Sequence, residues 1–128
     1  MANKHMLDSS AWIEYFAGTE TGKKVEYVIE NEEILTCMLS IAEISDKFCK
    51  EDEKFGRFLD FIKSVSAVSN ITIETCSEAG KLKAQRRSIK KEFKIADAII
   101  YLTARENSCI VVTKDADFEG MENVVVIK

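Results

Sequence analysis

The chain has 128 residues, 46% hydrophobic and 31% charged, with a net charge of −4. That length suits a single domain, residues 1–128, with a core of its own. No apolar run nears the ~20 residues a bilayer span needs, Met1 to Asp8 carries no signal-peptide pattern, and the negative balance argues against a generic nucleic-acid coat protein. A cytoplasmic protein is expected.

His5-Met6-Leu7 reads as a first strand ending at Asp8. Ser9 or Ser10 can cap a helical segment from Ala11 to Phe16. Gly18 and Gly22 interrupt the pattern, and Lys23 to Glu30 reads as a second helix. Ile34 to Cys37 is a second strand. Ser40 can cap a helix through Lys50, with Glu43 at capping-box spacing. Asp52 can cap the next helix, where Phe55, Phe58, Leu59 and Ile62 recur at helical spacing. Val65 to Val68 is a weak third strand, and Thr72 caps a long helix through about Ile89. Ile95 to Glu106 is a strongly apolar helix. Cys109 to Val112 is a fully apolar strand, as in a sheet covered on both faces, and Val124 to Ile127 is the last. Alternating strands and helices predict an α/β sandwich with a parallel sheet.

The four cysteines (Cys37, Cys49, Cys76, Cys109) are widely and irregularly spaced. With one histidine, His5, inside a strand, a zinc site is poorly supported. The cysteines read as small buried residues, and His5 as structural. Charge is unevenly spread. Between Lys81 and Lys94 seven basic residues face one acid, Glu92, a local +6 that leaves −10 elsewhere. This basic stripe runs up to Asp97.

Four acids fall where a parallel sheet gathers ligands, beyond the carboxyl ends of its strands. Asp8 follows the first strand and Asp115 the fourth. Glu43 and Asp97 lie early in the helices that follow the second strand and precede the fourth. Clustered carboxylates without cationic partners are costly unless a hard divalent cation fills the site. One or two Mg²⁺ or Mn²⁺ ions there would suit phosphodiester hydrolysis. Each acid also has a plainer reading. Asp8 could cap a helix, Glu43 could complete a capping box with Ser40, and Asp115 and Asp117 could be turn formers. Asp97 interrupts an apolar helix, where burying an unpaired carboxylate is expensive.

Met6-Leu7-Asp8-Ser9-Ser10, Ser40-Ile41-Ala42-Glu43, Ile95-Ala96-Asp97-Ala98-Ile99-Ile100 and Val112-Thr113-Lys114-Asp115-Ala116-Asp117-Phe118 resemble, in order and spacing, the motifs of the PIN-domain family. The nearest likeness is to VapC-type toxins. The resemblance implies a three-layer α/β/α sandwich with a central parallel sheet and Mg²⁺- or Mn²⁺-dependent endoribonuclease activity. It carries the catalytic and metal-binding roles to Asp8, Glu43, Asp97 and Asp115. Ser10 and Thr113 match hydroxyl positions near the metal, with Asp117 in support. It also implies a homodimer and a cognate antitoxin. Arg86, Arg87, Lys90, Lys91 and Lys94 could then seat the RNA backbone, although any one of them could be a solvated helix residue. A PIN nuclease of RNA processing and a non-catalytic RNA- or protein-binding module share this pattern. A phosphoacceptor domain fits less well, because Asp8 has no acidic neighbour.

Overall fold

The computed structural model describes residues 3–128. Five strands form one all-parallel sheet: β1 (Lys4–Leu7), β2 (Glu33–Cys37), β3 (Ala67–Ser69), β4 (Cys109–Thr113) and β5 (Val124–Val126), in the order β3-β2-β1-β4-β5. β1 is central and pairs with β2 on one side and β4 on the other, with Met6 opposite Leu35 and Val111. Six helices complete the chain: α1 (Ser9–Ala17), α2 (Glu20–Asn31), α3 (Met38–Lys47), α4 (Asp52–Val65), α5 (Ile73–Arg86) and α6 (Ile95–Glu106).

Strand side chains alternate between two cores, as the pleat requires. Met6, Leu35 and Val111 join Ala79 of α5 and Ala98, Ile100 and Ala104 of α6. Leu7, Ile34 and Val112 join Trp12 of α1, Val25 of α2, Ile44 of α3 and Ile62 of α4. The expected α/β/α sandwich is thus realised, and neighbouring residues of β4 are buried on opposite faces. Among the described residues no helix is long and apolar enough to cross a membrane.

Several local expectations are corrected. Ser9 and Ser10 do not cap α1. They are its first residues, and Asp8 holds the N-cap position without a capping side-chain bond. Gly22 lies inside α2, which begins at Glu20 with the Thr19 hydroxyl accepting from the Gly22 N–H at 3.0 Å. A Cβ on Gly22 would stand 2.2 Å from the Glu14 carbonyl oxygen, so the α1–α2 contact requires glycine. β2 passes directly into α3 at Met38, leaving Ser40 inside the helix with a buried, unpartnered hydroxyl. The Ser40–Glu43 capping box therefore does not form. α4 starts one residue after Glu51, its N-cap, and occupies Val65, which pushes β3 later than expected. Thr72 does cap α5 by accepting from the Thr75 N–H at 3.1 Å, but the helix stops at Arg86. Cys37 and Cys109 are buried as expected, whereas Cys49 and Cys76 are exposed.

Candidate active site

The central strand delivers the first acid. Leu7 pairs with Val112, and the Asp8 N–H extends that ladder to the Val112 carbonyl at 2.9 Å. Asp8 therefore lies beside Thr113, the last residue of β4. The connections turn to opposite sides between β1 and β4, and an open parallel sheet leaves a crevice at such a point.

Asp8 is held by hydroxyls. Its Oδ2 accepts from Thr113 Oγ1 at 2.8 Å and from Ser10 Oγ at 2.9 Å. Each hydroxyl has a single proton, and both point it at Asp8. Their oxygens accept in turn: Thr113 Oγ1 from the Asp115 N–H and Ser10 Oγ from the Lys114 N–H, each at 3.0 Å. Burial raises the Asp8 pKa, the Thr113 and Ser10 bonds oppose the rise, and the Asp115 charge adds to it.

Glu43 reaches the site from α3. Ser9 Oγ donates to its Oε1 at 3.1 Å, a bond between residues 34 apart in sequence. Burial raises the Glu43 pKa and the Asp8 charge raises it further, against the Ser9 bond and the Lys94 ammonium. Asp97 is the third residue of α6, and its Oδ2 accepts from the Lys94 N–H at 2.8 Å, anchoring the helix start from within. Asp97 is 7% exposed. Burial first, then the charges of Asp115, Asp8 and Glu43, push its carboxyl up to about 7 despite the Lys94 N–H.

Asp115 follows β4 and starts a 3-10 turn over Ala116–Phe118 by accepting from the Asp117 N–H on its Oδ1 at 2.8 Å. The turn brings Asp117 back to its neighbours. Asp97, Asp115 and Asp117 each offer a carboxylate oxygen, all within 4.8 Å of one another. Burial and the Asp115 charge raise the Asp117 pKa. Asp8 and Glu43 lie outside this tight triangle, yet their charges act on Asp97.

The bonds above fall on one oxygen of each of Asp8, Glu43, Asp97 and Asp115, leaving the second available to a cation. Five ion pairs occur among the described residues, and none uses these acids. Crowded, half-buried carboxylates without a cationic partner and with no sulfur or imidazole in the set fit a hard divalent ion such as Mg²⁺ or Mn²⁺.

The basic stripe divides in two. Arg86 donates from Nε and Nη2 to the Asp117 carbonyl at 3.1 and 2.9 Å, and from Nη2 to the Glu119 carbonyl. Arg87 Nε donates to the Phe93 carbonyl at 3.1 Å. Both guanidinium groups thus hold backbone. Lys90 lies close enough to lower the Asp117 pKa and Lys94 close enough to lower that of Glu43, and Lys91 is exposed. Sequence reasoning missed the Ser9–Glu43 bond. The available signal was a second hydroxyl directly after Asp8, which reads first as a cap.

The PIN-domain family profile matches residues 5–123. A comparison with curated proteins finds no match. Solved structures do match. A toxin–antitoxin complex from Klebsiella pneumoniae shares 20% identity at a TM-score of 0.77, over 95% of this chain and 96% of that one. VapBC2 from Rickettsia felis, bound to a promoter DNA fragment, shares 16% at 0.75, over 96% of each chain. VapC20 from Mycobacterium tuberculosis, a toxin that cleaves the sarcin-ricin loop, shares 16% at 0.73, over 97% of this chain and 99% of that one. At such identities these structures speak for the fold, and the profile speaks for descent. With a match running from β1 to the residue before β5, and acids gathered where β1 meets β4, the chain belongs to the PIN-domain family.

Proposed function

We propose that residues 1–128 act as a single PIN-like domain with metal-dependent endoribonuclease activity, the toxin of a type II toxin–antitoxin pair. The observation that carries this reading is the close approach of Asp97, Asp115 and Asp117, with Asp8 and Glu43 near enough for their charges to act on Asp97. Asp97, Asp115 and Asp117 would hold Mg²⁺ or Mn²⁺ together with Asp8, with Glu43 beside them. The ion, when bound, acidifies water and offsets charge on a phosphodiester.

The chain's own groups do the rest. Ser10 and Thr113 orient Asp8 through Oδ2 and favour its ionised form. Ser9 fixes Glu43 through Oε1, so its Oε2 can accept a proton. Lys90, Lys91 and Lys94 would contact RNA phosphates, while Arg87 holds the loop that carries those lysines and Arg86 holds the Asp117 turn.

An apolar groove of about 250 Å³, with Ile13, Phe16, Phe48 and Phe58 between Lys47 and Lys54, supports docking of an antitoxin segment that is apolar with acidic flanks. The protein would act in the cytoplasm as a homodimer. The test is incubation with structured RNA and Mg²⁺ or Mn²⁺, repeated with EDTA and with Asp97→Asn. Cleavage that survives both would sink the mechanism.

A further inference from the structure

We propose that Lys114, tied to Glu14, is a positioning residue that sets the Asp115–Asp117 turn against Asp8; this rests on reading those acids as a cation site. Lys114 separates Thr113 from Asp115, so any slack in its position passes directly to the acids. It is held at both ends. Its N–H donates to Ser10 Oγ at 3.0 Å, and its Nζ donates to Glu14 Oε1 at 2.9 Å. Ser10 and Glu14 are four residues apart on α1 and share a helix face. One face of α1 thus grips the lysine by backbone and by side chain.

An exposed lysine–glutamate pair ordinarily positions little, because both side chains must be ordered to form it. Here the glutamate is fixed independently of the lysine. Its side chain is 16% exposed. Its Oε1 also accepts from Thr19 Oγ1 at 2.9 Å and from Thr21 Oγ1. Thr19 is the N-cap of α2, and Gly22 seats that helix against the Glu14 carbonyl. Only the lysine side chain remains to be ordered. The tether runs from the α1–α2 corner to the loop in which the Asp115 N–H reaches Thr113 and the Asp117 N–H reaches Asp115.

The sign of one substitution separates positioning from charge. Removing a cation beside an acidic site should by itself tighten binding of another cation. Loss of positioning should weaken it. Lys114→Met, Lys114→Arg and Glu14→Gln are compared with the parent by calorimetric titration of Mn²⁺ into RNA-free protein and by amide exchange in EDTA. For Lys114→Met we expect Mn²⁺ affinity to fall about fivefold to tenfold and the Asp115 and Asp117 amides to exchange about tenfold faster, the scale of one charge-assisted bond. Glu14→Gln keeps an acceptor for the threonines and should speed the same amides. Lys114→Arg should restore both measurements to within about twofold of the parent. Should Lys114→Met not fold, Lys114→Gln carries the same expectation. Equal or tighter Mn²⁺ binding by the variant overturns the inference, whatever the exchange shows, and leaves the cation site standing. A parent that takes up no Mn²⁺ overturns both.

Discussion

In metal-free protein, Asp97→Asn should stabilise the fold at neutral pH and do nothing at acid pH. The Asp97 carboxyl rises from 3.8 to about 7 on folding, chiefly by burial. A shift of roughly 3 units corresponds to about 4 kcal/mol. The sign follows from linkage. Near pH 3 both folded and unfolded chains keep most of this proton. As pH rises toward 7 the unfolded chain releases it while the folded chain resists, so stability falls through that window and levels off above it. Asparagine cannot ionise, yet it keeps an oxygen for the Lys94 N–H.

At pH 8 in EDTA the variant should therefore gain up to about 4 kcal/mol, or roughly 15 °C in Tm for a chain of this size. The gain should shrink toward zero near pH 3. Titrating groups outside the acidic cluster are common to both proteins and largely cancel in the comparison. Added Mn²⁺ should narrow the gap at pH 8, because a ligand at 100 times its Kd stabilises by about 2.7 kcal/mol only the protein that binds it. Thermal melts by circular dichroism across this pH range, with and without Mn²⁺, provide the measurement. A variant that is less stable at pH 8, or whose gain does not depend on pH, would refute the reasoning.

Three other outcomes follow from the same geometry. Thr113→Val keeps the shape but removes a donor to Asp8 and an acceptor for the Asp115 N–H; urea denaturation should show a loss of about 1–3 kcal/mol. Gly22→Ala would ordinarily favour a helix by about 1 kcal/mol. Here the new Cβ meets the Glu14 carbonyl, so a net loss of about 1–3 kcal/mol is expected in the same assay. Replacing Lys90, Lys91 and Lys94 together by Gln in the Asp97→Asn background should lower the slope of log affinity for single-stranded RNA against log salt by about 2. An unchanged slope would remove these lysines from the RNA path. Arg86→Gln should instead lower stability, because its guanidinium holds the Asp117 and Glu119 carbonyls.

What could be read from the sequence depended on how local its cause was. The bounds of α6 were legible because an apolar face, a turn and a following strand all lie within that stretch. The cap of α5 was legible because Thr72 bonds three residues ahead. Ser40 misled because the end of β2 is set by pairing with β3, Cys37 opposite Ser69, which leaves no room for a loop before α3. The end of α5 was hidden because Arg86 serves the distant Asp117 carbonyl and Arg87 turns to the Phe93 carbonyl instead of the helix face. At the site, Asp8, Glu43, Asp97 and Asp115 stood out as acids at predicted strand ends and helix starts. Asp117 stood out only in a supporting role, because its place beside Asp97 is created by a single 3-10 turn. The Ser9–Glu43 bond spans β1 to α3 and no local pattern announces it.

The pairing of β1 with β4 has a consequence for the timing of folding. Asp8 lies near one end of the chain, and Thr113, which orients it, lies 105 residues later. A polypeptide stopped just before β4 would carry Asp8, Glu43 and even Asp97, but no strand to set the first acid and no Asp115 to complete the set. Synthesis is vectorial, so the constellation cannot assemble on a growing chain until its fourth strand has emerged. Whatever reaction these acids perform, an unfinished copy is chemically silent.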